Sequence, residues 1–174
     1  CRPKFTLMNP RLTYTLPEYQ TESGCVDILL HTMERYFVNI ETMEITDSIS
    51  ESLMQTVIYN ARILLNEPGN YNARAEIMWA GSLSHNGLTG CGTGGGDWAW
   101  HQLEHELGGL YDVTHGAGLA ALWGSWARYV YDANQEIELT KYKSRIKSPQ
   151  LPQWFPERVD GYFERTQRRD IKSG

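Results

Sequence analysis

The sequence contains only three cysteines, and their spacing suits neither a disulfide framework nor a zinc ribbon. Cys1, Cys25 and Cys91 are odd in number and lie far apart, whereas disulfide-rich secreted domains carry even sets at short spacings. We therefore expect a reducing compartment, the cytoplasm. No apolar run approaches the roughly 20 residues that a membrane span needs, and residues 1–10 lack the apolar segment of a secretory signal. We thus expect no membrane partner.

An overall excess of positive charge is also lacking. The formal net charge is −5, with 16 Lys and Arg against 21 Asp and Glu residues, so the chain offers no general attraction to nucleic acid. Nine of the 16 basic residues follow residue 134, which leaves the earlier part acidic. A length of 174 residues, of which 41% are hydrophobic, suits one domain with a proper core.

Strand patterns are scarce and lie near the start of the chain. Lys4–Met8 predicts a short strand. Thr13–Leu16 predicts a second extended piece, because Pro17 disfavours helix at the residue before it. An isolated hairpin is marginal in water, so such strands would need partners from elsewhere.

Helical periodicity dominates the chain from Glu18 onward, where an apolar stripe recurs at helical spacing. Ser48 with Glu51 matches a capping box that predicts the start of a second helix. Pro68 is expected to end that helix, and Asn72 to cap a third.

The chain divides into three parts on these patterns. Residues 1–17 are interpreted as a short extended lead-in, and residues 18–133 as a helical bundle, so the predicted fold class is mainly α. Residues 134–174 form a basic tail with three prolines in eight residues, which we interpret as peripheral.

Three of the five histidines lie in the segment Asp97–Gly118. His101 and His105 are four residues apart and share one face of a helix. His115 opens the next helix, after a break expected at Gly108-Gly109. Imidazoles gathered in this way are typical of a divalent-metal site.

A second pair with the same spacing, Asp27 and His31, lies upstream on another predicted helix. These residues allow two metal interpretations. In the first, His101, Glu104 and His105 form an H-x-x-E-H motif, in which both histidines bind Zn²⁺ and the glutamate is the general base of a hydrolase.

The second interpretation takes one carboxylate and three imidazoles from the two helical regions and leaves His105 near the metal but unligated. This donor set suits Fe²⁺ or Zn²⁺, with room for a substrate oxygen that the ion would polarise. Its members are Asp27, His31, His101 and His115.

Other features receive structural interpretations. The run Gly90–Gly96 contains a G-x-G-x-x-G match, but the dinucleotide motif requires a strand before the loop, and a helix is expected there. We interpret the run as a turn-rich connection. His85 is assigned to the core, and Asp97 to the cap of the histidine helix. Under the second metal interpretation, Glu104 is a replaceable helix residue.

The segment GDWAWHQLEHELGGLYDVTHGAGLA is similar to the signature of iron-containing (group III) alcohol dehydrogenases, especially their NADPH-dependent butanol dehydrogenase-like branch. Two upstream segments, NPRLTYTLPEYQTESGCVDILLHTMERYF and AEIMWAGSLSHNGLTG, agree in order. The resemblance runs from about residue 2 to residue 133. It implies the helical, dehydroquinate synthase-like C-terminal domain of that family.

The resemblance also implies a site and a reaction. The implied metal ligands are Asp27, His31, His101 and His115, with Fe²⁺ or Zn²⁺ bound. His105 would lie beside the nicotinamide of NADP(H) or NAD(H) and beside the substrate, where it helps to relay a proton. The implied reaction is the reversible reduction of a small aldehyde to a primary alcohol.

The sequence departs from the family at both ends. The family's nucleotide-binding α/β half is not seen, so residues 1–17 would be its last remnant. Apolar surface exposed there would favour a homodimer or association with a complementing chain. Residues 134–174 do not resemble the family's continuation. A metal-binding module without catalytic activity is therefore a further interpretation of the chain.

Overall fold

The computed structural model describes residues 3–38, 43–96 and 98–133, and within them it contains helices and no strand. This confirms the mainly α fold class. The predicted cap Asp97 and the basic tail lie outside the described residues. No described helix is both long and apolar enough to cross a membrane. The described residues form five α-helices, α1 (Glu18–Tyr36), α2 (Glu44–Asn66), α3 (Tyr71–His85), α4 (Ala99–Tyr111) and α5 (His115–Ala133).

Neither predicted piece of the lead-in forms a strand in the described region. Lys4–Met8 has no strand partner there, and Thr13–Leu16 begins in a short 3-10 helix, Pro10–Thr13, and continues as a turn. The Asn9 side chain accepts a hydrogen bond from the Arg11 amide at 3.1 Å, and proline is favoured at the first helical position. Local capping therefore decides this conformation.

Helix α1 is the centre of the fold, since it packs against α2, α3 and α5. Its apolar residues serve two clusters of buried side chains. The first cluster joins α1 to α2, α4 and α5 through Leu30, Met33, Tyr36, Met54, Trp100 and Leu119. The second joins α1 to α2 and α3 through Cys25, Ile28, Leu53, Val57 and Ala80.

Helix α2 begins four residues before the predicted capping box. Its first bond runs from the Asp47 amide to the Met43 carbonyl at 2.8 Å, and the acidic Glu44 and Asp47 in its first turn complement the helix dipole. Glu51 is buried instead and accepts a hydrogen bond from the Tyr36 hydroxyl at 2.6 Å. The glutamate of the predicted box is thus used for packing against α1.

Helix α3 also begins earlier than predicted. Its cap is Asn70, whose side chain accepts a hydrogen bond from the Ala73 amide at 3.0 Å, and not Asn72. The glycine-rich connection then follows α3 and a short 3-10 turn at Leu88–Gly90. Because no strand precedes it in the described chain, the dinucleotide interpretation of this loop lacks its structural context.

The connection reaches α1 closely before α4 begins. Gly96 has a φ of +88°, and a Cβ there would lie 2.7 Å from the carbonyl oxygen of Glu34, so only glycine fits. Helix α4 runs through the expected break at Gly108-Gly109 and ends at Tyr111, with the C-cap at Asp112, whose φ is +54°. The break therefore falls three residues late, where an aspartate adopts the left-handed conformation.

The start of α5 lies directly on the backbone of α1. A Cβ at Gly116 would lie 1.9 Å from the carbonyl oxygen of Ser23. Only glycine, which has no Cβ, allows the two helices to approach this closely. The contact places the first residue of α5, His115, beside the middle of α1.

Candidate metal centre

Helix α1 supplies the first two residues of the site. Asp27 and His31 are one turn apart, and the His31 Nδ1 lies 2.9 Å from the Asp27 Oδ1. The same nitrogen lies 3.0 Å from the Asp27 backbone carbonyl. The helical spacing of this pair, which the sequence predicts, therefore brings a carboxylate and an imidazole to one point on the surface of α1.

Helices α4 and α5 bring two more imidazoles to the same point. The His101 Nε2 lies 3.2 Å from the His31 Nδ1, and the His115 Nε2 lies 3.4 Å from the Asp27 Oδ1. We call these four residues, Asp27, His31, His101 and His115, the metal centre, after the role predicted for them from the sequence. The structure thus gathers the four residues of the second metal interpretation.

The spacing of these donor atoms fits a small divalent ion. Donors bound at about 2.1 Å around a tetrahedral ion lie roughly 3.4 Å apart, close to the separations of 2.9–3.4 Å found here. The Asp27 Oδ1 is buried and accepts no hydrogen bond, although two imidazole nitrogens lie near it. These separations are compatible with four ligands of one ion, and also with the hydrogen bonds of the His31 Nδ1 to the Asp27 carbonyl oxygen and the His101 Nε2.

The electrostatics of the metal centre favour the forms that bind metal. Burial alone would raise the pKa of the Asp27 carboxyl, yet the contacting imidazoles of His31 and His85 hold that pKa well below its usual range. Burial, and then the neighbouring His31, lower the pKa of His101 to about 3. Asp27 is therefore ionised and His101 neutral at pH 7, and these are the states that a metal requires.

The metal centre is closed on one side and open on the other. The His101 side chain is 4% exposed, whereas that of His115 is 39% exposed. His105, one turn after His101, is exposed, and its ring centre lies 5.3 Å from that of His115. A small molecule can therefore reach the centre from the side of His105 and His115.

The closed side is built by a stack of a tryptophan and an arginine. The Trp98 ring centre lies 5.4 Å from that of His31 and 5.1 Å from that of His101. The Arg35 guanidinium lies 4.6 Å above the Trp98 ring. Arg35 also donates a hydrogen bond to the Ser84 carbonyl at 2.6 Å, which fixes the end of α3 against α1.

His85, assigned to the core from the sequence, lies at the rim of the metal centre. Its ring stacks on His31 with centres 3.9 Å apart, and its Nε2 lies 3.4 Å from the Asp27 Oδ2. Contact with this carboxylate raises the pKa of His85, and burial only partly opposes the effect. No spacing signal in the sequence links His85 to the other residues, since it lies at the end of α3, which carries none of the four residues of the metal centre.

Two buried glutamates were also missed. The Glu34 Oε1 lies 3.1 Å from the His101 Nδ1, and the Glu104 Oε2 contacts the His115 Nδ1. Glu104 is therefore not the replaceable helix residue expected under the second interpretation, because it is buried against a histidine of the metal centre. Glu34 lies three residues after His31, and Glu104 lies three residues after His101, but each contacts a histidine on another helix, so this spacing does not predict the contacts.

The H-x-x-E-H interpretation requires His101 and His105 to reach one ion. Here the two His101 nitrogens face Glu34 and His31 on the buried side, while His105 is exposed and nearest to His115. Among the described residues, the clusters able to hold a metal place these two histidines in different groups. The geometry therefore disfavours the hydrolase.

Comparisons with known proteins find similar sequences and similar structures. Residues 21–147 match the model of the Fe-containing alcohol dehydrogenase family, C-terminal. The matched range includes all five histidines and extends to residue 147, so the expectation that the resemblance ends at about residue 133 is wrong for residues 134–147.

Two curated relatives carry catalytic names. The chain is 43% identical over 141 residues to NADH-dependent butanol dehydrogenase A of Clostridium acetobutylicum, covering 81% of this chain and 36% of that protein. It is 40% identical over 126 residues to the NADPH-dependent aldehyde reductase YqhD of Escherichia coli, covering 70% and 32%. The chain thus spans about a third of the length of these relatives.

Two solved structures share the fold. The NADH-dependent butanol dehydrogenase A of Thermotoga maritima superposes with a TM-score of 0.73 at 32% identity, covering 89% of this chain and 39% of that one. The substrate- and cofactor-free aldehyde reductase YqhD of Escherichia coli gives a TM-score of 0.76 at 32% identity, covering 96% and 43%.

Proposed function

The chain belongs to the iron-containing alcohol dehydrogenase family, and from this membership we propose that it supplies the metal-binding part of an alcohol dehydrogenase or aldehyde reductase. The proposed reaction interconverts a small aldehyde and a primary alcohol. One observation carries the proposal. The donor atoms of the metal centre converge from α1, α4 and α5 to within 2.9–3.4 Å of a neighbour.

The proposed ligands are the four residues of the metal centre. One carboxylate and three imidazoles suit Fe²⁺ and Zn²⁺, and the family description favours Fe²⁺. When bound, such an ion supplies a Lewis acid for the substrate oxygen. The residues of the chain hold the ion's position, because His101 is buried between Glu34 and His31.

His105 is the proposed catalytic residue and the proposed contact of the nicotinamide. Its imidazole is exposed beside His115, at the open side of the metal centre. A group there can hand a proton to the substrate oxygen, or accept one, at a ring nitrogen. The hydride would come from NADP(H) or NAD(H), since relatives are named for each dinucleotide.

The wider organisation belongs to the same proposal. Residues 18–133 would form the metal-binding domain, residues 1–17 its connection to a nucleotide-binding domain, and residues 134–174 a distinct tail. The free thiols of Cys25 and Cys91 suit a reducing cytoplasm. Exposed apolar side chains of the lead-in, such as Phe5 and Leu7, favour a homodimer, which sedimentation analysis would test.

Metal stoichiometry of three proteins tests the site. We expect the wild type to bind one Fe²⁺ or Zn²⁺, His115→Ala to lose it and His105→Ala to retain it. The reason is that the His115 Nε2 faces the Asp27 carboxylate, whereas the exposed His105 lies outside the four donors. His105→Ala should also lower NAD(P)H-dependent aldehyde reduction by about 100- to 10,000-fold, the usual value of a proton-transfer group.

The opposite pattern of metal loss would favour the H-x-x-E-H hydrolase. A wild type that binds no divalent ion would contradict the proposal outright. Metal uptake without nicotinamide-dependent reduction of an aldehyde would support the alternative function, a metal-binding module without catalytic activity.

A further inference from the structure

Two buried glutamates lie behind two histidines of the metal centre. Glu34 is 2% exposed and Glu104 is 1% exposed. Each contacts the Nδ1 of one imidazole, Glu34 that of His101 and Glu104 that of His115. In both histidines the other nitrogen, Nε2, faces the remaining members of the centre. The arrangement is therefore repeated on two different helices.

This arrangement decides which nitrogen of each neutral ring carries the proton. A neutral imidazole carries one N–H and one lone pair, and the hydrogen bond made by one nitrogen fixes which of the two it is. A carboxylate can only accept, so it holds the proton on Nδ1. The lone pair of His101 and of His115 is then on Nε2, directed at the metal centre.

We propose that Glu34 and Glu104 are positioning residues that lock His101 and His115 in the tautomer and orientation required for metal binding. The inference rests on the proposed metal site. It explains why two carboxylates are buried, since ionised glutamates are almost never fully buried unless they are paired. It also gives each of them a separate task at a separate ligand.

The backbone around Glu104 is shaped for its carboxylate. A Cβ at Gly118 would lie 2.6 Å from the Glu104 Oε1, and a Cβ at Gly108 would lie 3.4 Å from it. Any side chain at Gly118 would displace the carboxylate from its place beside His115. The absence of side chains at Gly108 in α4 and Gly118 in α5 therefore leaves space for this carboxylate between the two helices.

The negative charge behind each ring also matters for affinity. A carboxylate on the far nitrogen of a metal-bound imidazole raises the basicity of the ligand, and loss of such a partner costs about 10- to 100-fold in metal affinity. Two such partners act on two of the four proposed ligands here. Their removal should thus weaken metal binding without removing any ligand.

The experiment compares Glu34→Gln and Glu104→Gln with a matched control, Glu51→Gln, in the 174-residue chain. Glu51 is also a buried helical glutamate, but it accepts a hydrogen bond from the Tyr36 hydroxyl and, among the described residues, belongs to no group able to hold a metal. The dissociation constant for Co²⁺ is measured by competition with a chelator, and the visible spectrum of bound Co²⁺ reports the ligand geometry.

Each site variant is expected to bind Co²⁺ about 10- to 100-fold more weakly than the wild type, with a changed spectrum, while the control keeps both. Glu104→Asp, which retains the charge, should recover part of the affinity. If Glu104→Gln fails to fold, Glu104→Asp and Gly118→Ala replace it in the test. Both are expected to bind Co²⁺ with an intermediate affinity and to show the same spectral change.

Three results would overturn the inference. Folded site variants whose affinity and spectrum equal those of Glu51→Gln would show that the glutamates only fill space. A second equivalent of Co²⁺ that disappears with Glu104→Gln would make Glu104 a ligand. A wild type that binds no Co²⁺ would contradict the proposed function itself and remove the basis of the inference.

Discussion

Helix α1 contributes apolar residues to one contact and metal-ligand-type residues to another. Toward α2 and α3, Cys25 and Ile28 join an apolar cluster with Leu53, Val57 and Ala80. Toward α4 and α5 lies the first apolar cluster, and beside it Asp27 and His31 meet further imidazoles. Apolar and ligand-like residues therefore alternate within two turns of the same helix.

The difference separates stability from function. An apolar cluster stabilises the fold without any ligand, by about 25 cal/mol for each Å² of apolar surface buried. A group of carboxylates and imidazoles withdrawn from water costs free energy unless their charges and hydrogen-bonding groups are matched. The apolar side should thus set the free energy of unfolding, and the metal centre should contribute fully only when an ion is bound.

Gly116 is the point where both sides can be damaged together. Gly116→Val should force α5 away from α1, because a Cβ there would lie 1.9 Å from the Ser23 carbonyl oxygen. We expect loss of stoichiometric metal binding, together with about 3 kcal/mol or more of stability. Metal analysis and urea unfolding monitored by circular dichroism would measure the two effects.

Gly109→Ala is the control for this glycine. It lies in α4, and a Cβ there would meet no atom within 4 Å, so the substitution should keep the metal and raise stability by about 0.5–1 kcal/mol. A Gly116→Val protein that binds metal normally would contradict the close approach of α5 to α1.

Val57 offers a way to damage the apolar side alone. Val57→Ala removes two methyl groups from a residue that is 0% exposed, and the lost burial and the resulting cavity should cost about 2 kcal/mol. The dissociation constant for metal should not change, since Val57 contacts the apolar cluster and no proposed ligand. Urea unfolding and a chelator competition would give both numbers.

Ile45→Ala on the same helix is the matched control. Ile45 is 78% exposed, so its truncation should change stability by less than about 0.5 kcal/mol. Weaker metal binding in Val57→Ala, measured where the protein is still folded, would show that the two sides of α1 are coupled and that stability and metal binding are not separate properties of this helix.

The sequence predicted the helices better than their ends. Apolar periodicity reports which face of a helix is buried, and the mainly α fold follows from it. Ends are decided by local competition between capping groups. Asn70 caps α3 in place of Asn72, and α4 passes two glycines to stop at Asp112, because neither choice changes the pattern of burial.

The same limit applies to the metal centre. The spacing of Asp27 with His31 placed two candidate ligands on one face, and the structure brings them to His101 and His115. Their role as ligands stays a prediction. Glu34 and His85 could not be found in this way, because their contacts with the centre depend on how α1, α3 and α4 pack against one another.

The last prediction concerns two thiols, one in the apolar cluster and one exposed. Cys25 lies in the apolar cluster, where burial raises its pKa to about 11, although the nearby Arg74 opposes the effect. Cys91 is exposed. Since the thiolate is the reactive form and burial both raises the pKa of Cys25 and shields it, a disulfide reagent at pH 8 should label Cys25 much more slowly than the exposed Cys91. A Cys1→Ser background, with Cys25→Ser and Cys91→Ser variants, assigns the two rates.

Chelation of the metal should leave Cys25 protected, because its cluster contains no proposed ligand. Rapid labelling of Cys25 after chelation would instead mean that the bound ion also holds the apolar side closed.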